Sequence, residues 1–216
     1  MSGSYTVKQG DHLSSIAKSF GFSDYNTIWN DPNNADLKTL RVNPNVLNPG
    51  DVLFIPEHES RIEQKGTEVR HKFVAHRPPL KLKLVLEDLF EMPIANAKCD
   101  LLLDSDTFHL TSDDDGKIEQ EIKPETKGGM LVINDPQTAF NGIAFPIKIG
   151  HLDPVEELSG QLARLDNLGY FPGDGTAEHL EEFKSAVEEF QCDNALTVDG
   201  ICGPGTQAKL KEVHGC

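Results

Sequence analysis

Positive charge is scarce in this sequence beside negative charge. Lys and Arg number 20 against 35 Asp and Glu in 216 residues, a formal net charge of −15 at pH 7. Phosphate backbones need basic partners, so nucleic-acid binding is excluded, as is attachment to an anionic membrane surface. The deficit is uneven: residues 151–216 hold thirteen acidic side chains against four basic ones, and residues 1–56 hold five against four. The acidic end reads as a solvated face or as a surface for a basic partner. No run of about eighteen apolar residues occurs, so no membrane-spanning helix is expected. The opening MSGSYTV has neither the basic start nor the apolar centre of a secretory signal, and none is expected. Cysteines are few. Cys99 falls in a strand-like run, and Cys192, Cys202 and Cys216 are compatible with one disulfide or with reduced thiols.

Catalytic and metal-binding patterns are also missing. There is no H-E-x-x-H, and His71 with His76 lacks a third ligand at recognisable spacing. Asp113-Asp114-Asp115-Gly116 lacks the distal Glu of a calcium loop, and a tight turn accounts for it. Carboxylates are plentiful, but a glycan-cleaving pair needs a deep cleft. The expectation is a non-enzymatic chain with no cofactor and no metal.

What is present comes in three blocks, separated by changes of period: residues 1–56, a polar linker over 57–67, residues 68–150, and residues 151–216. The fold class expected is multi-domain α+β. In the first block Tyr5–Lys8 alternates as a strand and Gly10-Asp11 is a turn. Asp11 reads as the N-cap of an amphipathic helix with Leu13, Ile16, Ala17 and Phe20 on one face, ended by Gly21. A second helix around Thr27–Asn30, a Pro/Asn loop and the strand Val52–Ile55 complete a strand–helix–helix–strand order. Trp29 is either a sugar-stacking platform or a core residue.

The half-motifs YTVKQGDHLSSIA and NPNVLNPGDVLFIP, in this order, resemble a lysin motif (LysM), a small βααβ module that binds N-acetylglucosamine-containing glycans. The resemblance implies a shallow groove with Gly10, Asp11, His12 and Leu13 on one wall. Asn43, Pro44, Asn45, Val46, Leu47 and Asn48 form the other. Backbone N–H and C=O groups suit an acetamido group, and small apolar side chains suit its methyl, so no charged side chain is required.

From Glu68 the period is two. Val69, His71 and Phe73 alternate; Leu80, Leu82, Leu84 and Leu86 alternate after Pro78-Pro79. Further runs at Ala97–Leu103, Thr107–Thr111, Lys117–Ile122, Met130–Ile133 and Ile143–Ile149 are separated by turn signals. This spacing predicts an antiparallel β-sandwich over residues 68–150. The stretch LKLVLEDLFEMPIANAKCDLLL with LTSDDDGKIEQEI resembles a transthyretin-like sandwich.

After Pro154 the pattern is helical: Leu158, Leu162, Leu165 and Leu168, then Leu180, Phe183, Val187 and Phe190, then a short helix from Thr206, read as its N-cap, to about Lys211. The strings LxxLxxLGY, AVxxFQ and LxVDGxxGPxT resemble a three-helix peptidoglycan-binding domain. That resemblance implies a second wall-binding groove beside Tyr170–Gly175 and Asp199–Thr206, using Tyr170, Phe171, Asp199, Gly203 and Thr206. Tyr170 reads equally well as a cap on the core. The first loop departs from the family pattern, with Ala177-Glu178-His179-Leu180 where a second G-P-x-T is expected.

The implied partner is peptidoglycan, gripped at both ends of the chain so that the second engagement is intramolecular. Domain order and the absent export signal together resemble accessory proteins of type VI secretion and other contractile injection systems. Spike or tail proteins are therefore implied as further partners. The chain is expected to be made in the cytoplasm and delivered to the periplasm or wall by such a machine. The alternatives are an effector or wall hydrolase acting through the sandwich, or a structural adaptor whose end modules bind protein.

Overall fold

The computed structural model describes residues 2–58, 66–72, 79–88, 90 and 92–216. It is a mixed α+β chain in two compact units. One holds Ser14–Thr27 with Pro56–Gly150, and the other holds Ser2–Leu13, Ile28–Ile55 and His151–Cys216. Among the described residues no helix is long and apolar enough to cross a membrane.

At the N-terminus β1 (Gly3–Thr6) pairs antiparallel with β2 (Val52–Ile55), with Tyr5 opposite Leu53. The ladder is prolonged by Val7 N–H to Asp51 O at 2.8 Å and Gly50 N–H to Val7 O at 2.9 Å. Helices α1 (Leu13–Ser19) and α2 (Asn26–Trp29) follow β1. Asp11 does not cap α1 in the expected way. The helix starts two residues later, and Asp11 Oδ2 is taken by the Tyr5 hydroxyl at 2.7 Å and Lys8 N–H at 2.9 Å. Phe20 lies beyond the helix end and is 42% exposed, so it leaves the apolar face read for it. Trp29 is buried, which resolves its two readings in favour of the core.

The stretch read as a Pro/Asn loop contains a 3-10 turn, Pro32–Asn34, running into α3 (Ala35–Leu40). Hydrophobic periodicity is silent here because α3 buries none of its residues. Local caps set it instead: Asp31 accepts from Asn33 N–H at 2.9 Å, with Pro32 at the first position. The fully enclosed Asn34 then clamps the region. Its Nδ2 donates to Ile28 O and Phe54 O, both at 2.8 Å, and its Oδ1 accepts from Phe54 N–H at 2.8 Å.

In the other unit β3 (Leu80–Val85) pairs with β6 (Lys117–Ile122). A second sheet has the order β5 (Asp106–Thr111), β4 (Lys98–Leu103), β7 (Gly128–Ile133), β8 (Ala144–Lys148). All pairings are antiparallel. Alternation puts Cys99, Leu101 and Leu103 of β4 on the same side as Leu131 and Ile133 of β7. These join Ile118 and Ile122 of β6 in one buried cluster, with Leu80, Leu82 and Leu84 of β3 packed against it. Two sheets closing on one apolar layer are a sandwich. The Asp113 turn is tight as expected: its Oδ1 accepts from Asp115 and Lys117 N–H, and Gly116 sits at φ +73°. A Cβ there would meet Leu86 O at 2.3 Å. The strand read from Val69 does not form over residues 66–72, and its continuation with Phe73 and His76 lies outside the described residues.

The C-terminal helices are α4 (Leu158–Asn167), α5 (Leu180–Asp193) and α6 (Pro204–His214). Val155, Leu165, Ala186, Val187, Phe190 and Leu210 form their core. Leu158 and Leu180, read as inward-facing, are 43% and 52% exposed, because each opens its helix beyond the reach of that core.

Candidate functional site

The two walls read from the N-terminal half-motifs lie side by side. Leu13 N–H donates to Pro44 O at 3.3 Å, joining them directly. The first wall turns at Gly10, which adopts φ +88°, and closes with Asp11 N–H to Lys8 O at 3.0 Å. Burial pushes the Tyr5 phenol up to about 12, and its bond to the Asp11 carboxylate adds to the shift. The second wall is a chain of local bonds: Asn45 N–H to Asn43 Oδ1 at 2.9 Å, and Val46 N–H to Asn43 O at 3.1 Å. Asn48 N–H donates to Asp51 Oδ2 at 2.9 Å. Asp51 is itself held by Arg41 through Nε at 2.9 Å and Nη2 at 3.2 Å, a paired fork that sets the wall's far end.

Burial divides these residues into two kinds. The side chains of His12, Leu13, Val46 and Leu47 are buried, so they support the walls and offer a ligand only their backbone. Gly10, Asp11, Asn43, Pro44 and Asn45 remain partly accessible. Asn45 Oδ1 is a buried acceptor with no hydrogen-bond partner. An unmet acceptor in a wall costs stability unless a donor arrives.

In the C-terminal module both predicted loops lie along α5. Gly173 packs against His179 and Glu182, whereas Gly200 packs against Lys184 and Glu188. Tyr170 stacks edge-on to Phe190 with centroids 5.5 Å apart, so the ring that could have lined a groove serves the core. Phe171 is 76% exposed and held at φ +47°, a left-handed conformation that carries some backbone cost.

The residue that organises the second loop is Gln191, which sequence reasoning passed over although it sits one turn beyond Val187 on the buried side. Its Oε1 accepts from Asp199 and Gly200 N–H at 2.9 and 3.0 Å. Its Nε2 reaches Asp199 Oδ1, Ile201 O and Thr206 Oγ1 at 2.9, 3.1 and 3.0 Å. The bond from Gln191 is the main reason the Asp199 carboxyl lies below its ordinary range. Thr206 does not cap α6. That helix begins at Pro204 with Gly203 as its N-cap, and the Thr206 hydroxyl is turned into the Gln191 network. Proline at the first position sets the start, which a Thr cap would have delayed.

The first loop is tied by Asp174, whose Oδ1 accepts from Thr176 N–H at 2.9 Å, the Thr176 hydroxyl at 2.7 Å and His179 Nδ1 at 2.7 Å. These bonds hold the Asp174 carboxyl far below the carboxylate range and raise the His179 imidazole. At the chain's end Cys216 Sγ stands 3.3 Å from His214 Nδ1. Burial pushes that thiol up and that imidazole down, so both favour their neutral forms. Nucleophilic thiols need the opposite arrangement. No group of His, Cys, Asp and Glu among the described residues could hold a metal ion.

Two family models match the chain. The LysM domain model matches residues 5–32, and the model described as "Putative peptidoglycan binding domain" matches residues 154–210. No curated protein and no solved structure matches it.

Proposed function

We propose that this chain binds peptidoglycan at the cell wall and works by binding alone, a reading supported by its matches to the LysM and peptidoglycan-binding domain models. The N-terminal groove takes N-acetylglucosamine-containing glycan, and the C-terminal helices take wall peptide or glycan. The observation that carries this reading is the joining of the two LysM walls through Leu13 and Pro44, beside the unmet acceptor of Asn45. A shallow wall of backbone N–H and C=O groups suits an acetamido group. Two such contacts on one chain raise avidity without new chemistry. The sandwich then serves as a spacer or a docking surface. Its likeness to transthyretin-like domains and a place beside the spike of a contractile injection machine are the outer parts of the proposal, resting on the sequence resemblance.

The test is sedimentation with purified sacculi. Wild-type chain pellets with the wall, releases no muropeptides, and loses part of its binding on Asn45→Ala. A chain left in the supernatant contradicts wall binding, and soluble muropeptides turn the reading towards a hydrolase. A pull-down at native expression that recovers no spike or tail protein removes the machine from the proposal.

A further inference from the structure

The segment that opens the C-terminal module touches both walls of the LysM groove. At the first wall Gln9 Nε2 lies 3.5 Å from His151 Nδ1. The imidazole also rests on the backbone of Gly10, where an added Cβ would come 3.3 Å from His151 Nε2. At the second wall Asn48 Nδ2 donates to Glu157 Oε1 at 3.4 Å. Arg41, which fixes that wall through Asp51, feels the charges of Glu156 and Glu157.

The residues between these two contacts are anchored firmly. Asp153, Pro154 and Val155 are buried, Val155 within the helical core. Asp153 Oδ2 accepts from Ser159 Oγ at 2.7 Å, and Asp153 O accepts from the buried Arg164 at 2.8 Å. Val155 O accepts from Gln161 Nε2 at 2.9 Å. His151 and Glu157 themselves are exposed. Two polar side chains are thus held in place at the rim by a rigid stretch, yet keep polar atoms open to solvent. Rigid presentation is what a binding contact needs, since less ordering entropy is lost when the ligand arrives.

We propose that His151 and Glu157 are part of the glycan site. The groove is composite: the LysM walls take the acetamido group, and the imidazole and carboxylate at the rim bond the hydroxyls of an adjoining sugar. The ligand class is an uncharged N-acetylhexosamine oligomer, because an exposed carboxylate at the rim disfavours anionic sugars. This rests on the glycan-binding reading of the LysM groove.

The experiment is calorimetric titration of the full chain with the β-1,4-linked hexamer of N-acetylglucosamine. Wild type is compared with His151→Ala and Glu157→Gln, with thermal melts to confirm unchanged folding. Each variant is expected to weaken binding about two- to tenfold, the worth of one hydrogen bond. Wild-type binding with variants unchanged within experimental error overturns the composite site and leaves the groove reading intact. Tighter binding by the variants also overturns it, since the segment then covers the groove instead of extending it. No wild-type binding removes the groove reading and this proposal together.

Discussion

Replacing Gln191 with Ala removes the single side chain on which the loop Asp199–Thr206 is hung. Gln191 is 1% exposed; its Oε1 accepts two hydrogen bonds, and the two hydrogens of its Nε2 are shared among three acceptors. At a net value of about 0.5–1.5 kcal/mol for each of four bonds, the upper range is roughly 2–6 kcal/mol. Water can re-solvate the partners at Asp199, Gly200 and Ile201, which lie towards the surface, but the buried Thr206 hydroxyl loses its donor and keeps only a 3.4 Å bond to Ile201 O. A cost of about 3 kcal/mol follows, with the lost side-chain volume included. In amide exchange read by mass spectrometry on the full chain, this corresponds to roughly a hundredfold loss of protection across α5 and the loop. Gln191→Glu keeps the acceptor for Asp199 and Gly200 N–H but sets a carboxylate against Asp199, so it is destabilised as well. A loss of protection below threefold in Gln191→Ala refutes the hub.

Arg164→Met is expected to destabilise the helical module by about 3 kcal/mol or more, because the buried guanidinium satisfies Asp153 O, Gly160 O and Cys216 O; urea unfolding measures it. Tyr5→Phe removes the bond to Asp11 and costs about 1.5–3 kcal/mol, the range for a hydrogen bond to a charged group, read from the same unfolding curves. In ultraviolet titration Tyr5 ionises near pH 12, later than an ordinary phenol. His179 is raised, so the tie to Asp174 is fully present below the ordinary imidazole pKa and is lost as pH rises through the raised value. Asp174 is lowered, so its own contribution is fully present above the ordinary carboxylate pKa and is lost progressively as pH falls from there through the lowered value. An NMR titration of the His179 ring checks both, and Asp174→Asn returns that ring towards its ordinary pKa.

The strands of the sandwich were legible because inward Leu, Ile and Cys alternate with polar residues, and the predicted Lys117–Ile122 coincides with β6. Helices α4 and α5 were legible for the matching reason at a period of 3.6. What stayed hidden was held by polar side chains. Helix α3 has no buried face to leave a pattern. Asn34 and Gln191 look like surface residues in the sequence, yet each is enclosed and satisfies several backbone groups. The Gly10-Asp11 turn was legible as turn chemistry, with Gly10 at φ +88°. The approach of His151 to Gln9 and of Glu157 to Asn48 was not, because nothing local in a sequence records contacts more than a hundred residues apart.

Glycan binding in the proposed LysM groove is tested by competition: the chain is bound to purified sacculi, then challenged with the N-acetylglucosamine hexamer and, in parallel, with a glucose hexamer that lacks the acetamido groups. The wild-type chain is expected to pellet, the acetylated hexamer to lower the bound fraction, and the glucose hexamer to leave it unchanged. A chain that stays in the supernatant, or one released equally by both sugars, contradicts glycan binding in the groove.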